Sequence, residues 1–134
     1  MNTDSPCPSD RARLTILVVD DDAGVSEVLG KTLVGYGHQV TLASDGKAAE
    51  RAANVAPFDV VITDILMPGT DGFELIGALR RKWPNVRIVA MSGGGIGCGG
   101  NYLKIARGLG AHAVLPKPFS VAELTATISA AMAA

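Results

Sequence analysis

The chain has 134 residues, of which 48% are hydrophobic and 19% are charged, and its formal net charge is −1. This length suits one domain with a sizeable core, and the composition excludes a disordered tail protein. The near-neutral charge excludes the basic footprint of a nucleic-acid-binding protein. Cys7 and Cys98 match neither a disulfide framework nor a zinc site. No apolar run is long enough to span a membrane and no secretory signal is visible, so we expect a cytoplasmic protein without a membrane partner.

Five apolar strand patterns alternate with five helical patterns along the chain. Residues 1–13 are polar and contain prolines, which predicts a flexible N-terminal tail before a domain of residues 14–134. Runs rich in β-branched residues predict strands at 16–19, 39–43, 60–64, 86–91 and 113–115. Helical spacing and end signals predict helices near 25–36, 47–54, 71–83, 102–109 and 121–134. Asp22 is expected to cap the first helix, and Ser120 and Glu123 form a capping box at the last. This alternation predicts an α/β domain whose parallel sheet is covered on both faces.

Polar side chains follow the predicted strands where each strand ends. Right-handed crossovers bring the carboxyl ends of parallel strands to one edge of the sheet, the edge at which α/β domains bind ligands. Five such residues should therefore lie close together, and we call them the carboxyl rim: Asp20, Asp21, Asp64, Ser92 and Lys117. Taken alone, Asp64 could equally be a turn-capping residue before Pro68 and Gly69.

The charges of the carboxyl rim predict a metal and a phosphoryl group. Three carboxylates face one lysine, and two like charges about 4 Å apart repel by roughly 4 kcal/mol at an effective dielectric constant near 20. A divalent cation would restore neutrality. The side-chain donors are hard oxygens without histidine or cysteine, which favours Mg²⁺, with Mn²⁺ as the alternative, over zinc. Asp64 is then the natural nucleophile for an aspartyl phosphate, with Lys117 and Ser92 contacting the phosphoryl oxygens.

Four motifs carry a resemblance to a known family. They occupy residues 17–22, 62–72, 91–93 and 117–119. In this order and spacing they resemble the receiver domain of bacterial two-component response regulators, over residues 14–134. The resemblance implies a (βα)5, flavodoxin-like, doubly wound parallel sheet with strand order 2-1-3-4-5, as in stand-alone chemotaxis receivers.

The resemblance also implies a set of metal ligands around the phosphoacceptor. Asp64 matches the aspartate that accepts the phosphoryl group. Asp21 matches the direct ligand of Mg²⁺, and Asp20 matches the acid that holds a metal-bound water. The backbone carbonyl of Leu66 completes the protein ligands that the resemblance implies.

A second set of positions matches the family's conformational switch, with two departures. Ser92 matches the hydroxyl that moves toward the phosphoryl group, Gly93 the amide beside it, and Lys117 the lysine that contacts phosphate, with a cis bond to the proline after it. The first departure is Val114, which stands where receivers often carry Tyr or Phe, so this chain lacks the usual aromatic residue at that switch position. The second is the glycine-rich stretch 93–100, which we predict to be a mobile loop that orders on phosphorylation.

Two enzyme classes compete with this interpretation. Residues 95–100 fit the dinucleotide-binding pattern G-x-G-x-x-G, but they follow the fourth strand, and the next strand ends in Pro116-Lys117 instead of an acid. A haloacid-dehalogenase-type phosphatase needs a second aspartate two residues after Asp64, where this chain has Leu66. A purely structural role for the carboxyl rim would need five coincidences at one edge.

Three residues with reactive side chains lie outside this predicted chemistry. His38 and His112 precede strands at the opposite edge of the sheet and are not expected to be catalytic. His38 is interpreted as a surface turn residue. Cys98 lies in the glycine-rich stretch, where a lone cysteine is usually incidental.

The expected function is that of a single-domain response regulator of a two-component or phosphorelay system. It would take a phosphoryl group from a histidine kinase or a histidine phosphotransfer protein onto Asp64, and it would catalyse only its own phosphorylation and dephosphorylation. The signal would pass to a downstream protein through helix 4, strand 5 and helix 5, from a monomer or a phosphorylation-dependent dimer. The sequence does not distinguish a phosphate shuttle from a direct regulator.

Overall fold

A five-stranded parallel sheet forms the centre of the domain. The computed structural model describes residues 13–67, 70–92 and 99–134. Within them the strands run β2-β1-β3-β4-β5 across the sheet, every neighbouring pair is parallel, and the predicted order 2-1-3-4-5 is confirmed. The strands are β1 (Thr15–Val19), β2 (Gln39–Ala43), β3 (Val60–Asp64), β4 (Arg87–Ser92) and β5 (Ala113–Pro116).

Five helices connect the strands and cover the sheet: α1 (Ala23–Gly35), α2 (Gly46–Val55), α3 (Gly72–Lys82), α4 (Gly99–Leu109) and α5 (Val121–Ala133). The Asp22 carboxylate accepts the amides of Gly24 and Val25, and the reciprocal bonds of the Ser120–Glu123 capping box are both present. Both predicted caps are confirmed. None of the helices in the described part of the chain is long and apolar enough to cross a bilayer.

The core consists of two apolar layers, one on each face of the sheet. Side chains of a strand alternate between faces, so Leu17 and Val19 of β1 join one layer, whereas Ile16 and Val18 join the other. The first layer includes buried residues of α2, α3 and α4, and the second includes buried residues of α1 and α5. All five residues of β3 are buried, which explains why its sequence is a continuous apolar run ending in Thr63 and Asp64.

Two features differ from the sequence prediction. After β3, the chain forms a short antiparallel ladder of Leu66–Met67 with Thr70–Asp71, which the prediction treated only as a turn. Helix α4 begins at Gly99 instead of Tyr102, so the predicted loop 93–100 is too long at its end. Residues 93–98, including Gly93 and Cys98, lie outside the described residues.

Candidate functional site

The strand register brings the carboxyl rim together. Val19 of β1 pairs with Thr63 of β3, and the next residue along each strand direction is Asp20 or Asp64. The two acids therefore lie side by side at the carboxyl ends of adjacent strands. Asp64 also pairs with Met91 of β4. Ser92 pairs with Pro116, and the amide of Lys117 donates to the Ser92 carbonyl across 2.8 Å. The predicted convergence therefore follows from parallel pairing in β1, β3, β4 and β5.

Lys117 bridges two buried carboxylates. Its Nζ lies 2.8 Å from Oδ2 of Asp20 and 3.3 Å from Oδ2 of Asp64. Burial by itself lowers the pKa of Lys117. The hydrogen bond to Asp20 and the charges of Asp64 and Asp20 outweigh burial, so the pKa is raised and the ammonium remains charged at neutral pH.

Asp20 and Asp21 occupy different environments despite being neighbours. Asp20 is 2% exposed, and its two carboxylate oxygens receive hydrogen bonds from the Asp22 amide and from Lys117. The hydroxyl of Ser26 donates to its backbone carbonyl. Asp21, in contrast, is exposed to solvent. A carboxylate already engaged by two donors is suited to an indirect role, and an exposed one is suited to direct coordination.

The donor set fits a hard divalent cation. One carboxylate oxygen from each of Asp20, Asp21 and Asp64 lies within 4.8 Å of the others. These are oxygen donors without a thiolate or an imidazole, which is the chemistry that Mg²⁺ and Mn²⁺ prefer. Three negative charges and the lysine leave a local charge of −2, which a divalent cation would neutralise. The ligand that the resemblance assigns to Leu66 is a backbone group at the start of the short ladder.

The hydroxyl side chains beside Asp64 lie inside the sheet. Ser92 and Thr63 are both fully buried, and the Thr63 hydroxyl donates to the Asp64 carbonyl across 3.0 Å. Sequence reasoning did not single out Thr63, although a threonine within an otherwise apolar buried strand was a visible signal.

The Lys117–Pro118 bond is cis, as the resemblance implies. Val114 is half-buried in β5 and packs against the core layer that includes α4.

The two histidines stabilise backbone at the opposite edge of the sheet. His38 accepts the Leu14 amide through Nδ1 at 3.0 Å, and His112 accepts the Ile88 amide through Nδ1 at 3.0 Å. Burial lowers the pKa of both, and Arg80 and Arg87 lower that of His112 further. The interpretation of His38 as a simple surface turn residue is therefore wrong, because its half-buried ring accepts a hydrogen bond from the backbone just before β1.

Solved structures with a similar fold are bacterial receivers. The chemotaxis response regulator CheY4 of Vibrio cholerae is 29% identical with a TM-score of 0.79, over 89% of this chain and 98% of that one. The receiver domain of NtrX from Brucella abortus is 28% identical with a TM-score of 0.82, over 88% of this chain and 98% of that one.

Curated relatives are longer proteins. The transcriptional regulatory protein TcrA of Mycobacterium tuberculosis is 36% identical over 119 residues, covering 86% of this chain and 44% of TcrA. The DNA-binding transcriptional regulator NtrC of Azospirillum brasilense is 34% identical over 118 residues, covering 88% of this chain and 24% of NtrC. The chain thus spans less than half the length of these two relatives.

The family model described as the response regulator receiver domain matches residues 16–129, which is most of the chain. This match decides against the dinucleotide-binding enzyme and the haloacid-dehalogenase-type phosphatase. Together with the fold and the arrangement of the carboxyl rim, it shows that the chain belongs to the response regulator receiver domain family of two-component systems.

Proposed function

We propose that this receiver accepts a phosphoryl group from a phosphohistidine onto Asp64. The donor is a histidine kinase or a histidine phosphotransfer protein. The observation that carries the proposal is the pairing of Lys117 with both Asp20 and Asp64 beside the exposed Asp21. Three carboxylates and one ammonium leave an excess of negative charge around Asp64, which ends the central strand β3.

Asp64 supplies the nucleophile. One of its carboxylate oxygens forms a bond to phosphorus while the phosphorus–nitrogen bond of the phosphohistidine breaks, and the departing imidazole takes a proton. The product is an acyl phosphate, which carries a charge of about −1.5 to −2 in place of the single charge of the carboxylate. Lys117 stabilises this added charge because its ammonium already lies 3.3 Å from an Asp64 oxygen.

Asp21 and Asp64 would hold Mg²⁺ directly together with the carbonyl of Leu66, and Asp20 would hold a metal-bound water. When bound, Mg²⁺ neutralises charge on the phosphoryl oxygens and so favours phosphoryl transfer. The buried carboxylate of Asp20 keeps Lys117 oriented toward Asp64. The aspartate side chains would thus bind the cation, and Lys117 would supply a second positive charge beside the phosphoryl group.

The switch is proposed to act through Ser92 and Gly93. Ser92 ends β4 next to Asp64, and its hydroxyl would donate a hydrogen bond to the phosphoryl group, with the Gly93 amide beside it. Val114 in place of an aromatic residue points to a readout without a large side-chain rotation.

The signal is proposed to reach a downstream protein through the surface of α4, β5 and α5. Ile105, Leu109 and Val121 expose 48%, 43% and 44% of their surface there, which is consistent with a protein partner. Residues 14–134 would form the working receiver unit, acting in the cytoplasm as a monomer or a phosphorylation-dependent dimer. Its only catalysis would be its own phosphorylation and dephosphorylation.

The intact mass of the protein after incubation with acetyl phosphate and Mg²⁺ tests this proposal. The wild type should gain about 80 Da per chain, the mass of one phosphoryl group. Asp64→Asn should gain nothing, and Asp59→Asn is the control because Asp59 lies at the other end of β3. Equal labelling of the wild type and Asp64→Asn would contradict the assignment.

A further inference from the structure

The first residue of α3 lies directly against the backbone that follows Asp64. The amide of Gly72 donates to the carbonyl of Ile65 across 3.2 Å, and Gly72 is buried. Between them the short ladder pairs Leu66 with Asp71 and Met67 with Thr70. The backbone of Asp64 to Leu66 therefore packs directly against the start of α3.

A side chain at residue 72 would not fit this arrangement. An added Cβ would lie 2.5 Å from the Ile65 oxygen, 2.6 Å from its Cα and 2.8 Å from the Asp64 carbonyl oxygen. All three are backbone atoms, so no flexible side chain can move aside. Any larger residue must push the 64–66 backbone and α3 apart.

The surroundings determine what would move. Strand β3 is paired on both sides, by β1 and β4, and the Ile65 amide donates to the Met91 carbonyl at 3.0 Å. Helix α3 is held by the buried side chains of Leu75, Ile76 and Leu79. The atoms that an added Cβ would meet belong to Asp64 and Ile65, so the displacement would fall on the backbone of residues 64–66 and on the start of α3.

We propose that Gly72 is a positioning residue, which sets the place of the Asp64 carboxylate and of the Leu66 carbonyl relative to Asp20 and Asp21. This inference rests on the proposed function, because it concerns the same Mg²⁺ site. Gly72 acts through close approach of backbone to backbone and not through a contact with the cation or the phosphate.

The test is the Mg²⁺ dissociation constant, measured by isothermal titration calorimetry on Gly72→Ala and Gly77→Ala. Gly77 lies in the same helix, and a Cβ there would meet only the Arg81 side chain at 3.4 Å, an ordinary contact. Gly72→Ala should weaken Mg²⁺ binding by about 10- to 100-fold, as the loss of groups that orient metal ligands does. Gly77→Ala should bind as the wild type does.

A second control separates positioning from general loss of stability. Leu79→Ala removes a fully buried side chain near the other end of α3 and should lower the melting temperature without changing Mg²⁺ affinity in the folded protein. All variants are measured well below their own melting temperatures. If Leu79→Ala weakens Mg²⁺ binding as much as Gly72→Ala, the effect is one of stability and the proposal is overturned.

The remaining outcomes are also decisive. If the wild type binds Mg²⁺ and incorporates phosphate but Gly72→Ala binds equally well, the positioning role fails and the proposed function stands. If the wild type binds no Mg²⁺, the proposed function itself fails. If Gly72→Ala remains unfolded even in the cold, Gly72 serves folding instead of positioning, and the inference is overturned.

Discussion

The two edges of the sheet use polar side chains for opposite purposes. At the amino edge, defined here by His38, Asp59 and His112, each side chain accepts a hydrogen bond from one backbone amide in a neighbouring strand or just before it. At the carboxyl rim, Lys117 instead bridges the Asp20 and Asp64 carboxylates beside Asp21, and negative charge remains in excess. Satisfied acceptors stabilise the strand ends, whereas an unbalanced cluster of charges favours binding of a cation and a phosphoryl group.

Addition of Mg²⁺ should have the largest effect on the stability of the protein, and it should act at the carboxyl rim. A ligand that binds only the folded protein stabilises it by about 2.7 kcal/mol at a concentration of 100 times its dissociation constant. The melting temperature of the wild type should therefore rise on addition of Mg²⁺, and that of Asp21→Asn should not. Asp45→Asn is the matched control, since it removes a carboxylate from the α2 cap while asparagine still caps. A similar rise in Asp21→Asn would contradict the assignment of Asp21.

Removal of the rim lysine should have the next largest effect. In the absence of Mg²⁺, Lys117→Ala leaves two buried carboxylates without their cation. It should lower the free energy of unfolding by about 1–3 kcal/mol, less than for a fully buried pair because its side chain is 19% exposed. Denaturant unfolding measures the change, and adding Asp20→Asn should recover part of it.

Lys82→Ala provides the comparison for Lys117→Ala. Lys82 pairs with Glu50 on the surface, where its side chain is 52% exposed, and such pairs are worth about 0–1 kcal/mol. If both substitutions lower the free energy of unfolding equally, the ion pairs of Lys117 contribute no more to stability than an ordinary surface ion pair does.

Lowering the pH should reveal the smaller contribution of the amino edge. The folded-state pKa of both histidines is below the ordinary value of 6.5, so protonation favours the unfolded chain. Their contribution to stability is fully present above pH 6.5 and is lost as the pH falls below it. Asparagine can offer Oδ1 in place of Nδ1 without titrating. The double variant His38→Asn, His112→Asn should therefore show a weaker dependence of unfolding free energy on pH in this range, and an unchanged slope would refute the role of the rings.

Patterns along the chain were sufficient to predict the sheet and the members of the carboxyl rim. The apolar run 60–64 and the acids that follow 16–19 predict buried parallel strands with carboxylates at one edge, and the structure has them there. The caps at Asp22 and Ser120 were predictable because capping depends on residues only three positions apart.

The interactions that sequence reasoning missed depend on register between distant segments. His38 and Leu14, or His112 and Ile88, are 24 residues apart, and no local periodicity indicates that they meet. The tight packing of Gly72 on Ile65 joins residues that are closer in sequence, but it depends on how closely the start of α3 approaches the end of β3. A glycine at a helix start was visible in the sequence, but the backbone atoms that exclude a Cβ were not.

The most direct test of the account locates the phosphoryl group on the chain. After incubation with acetyl phosphate and Mg²⁺, borohydride reduces an aspartyl phosphate to homoserine, and peptide mass mapping identifies the converted residue. The account predicts conversion at Asp64 alone, only when Mg²⁺ is present, and none when EDTA replaces it. Conversion at Asp20 or Asp21, or equal conversion with EDTA, would contradict it.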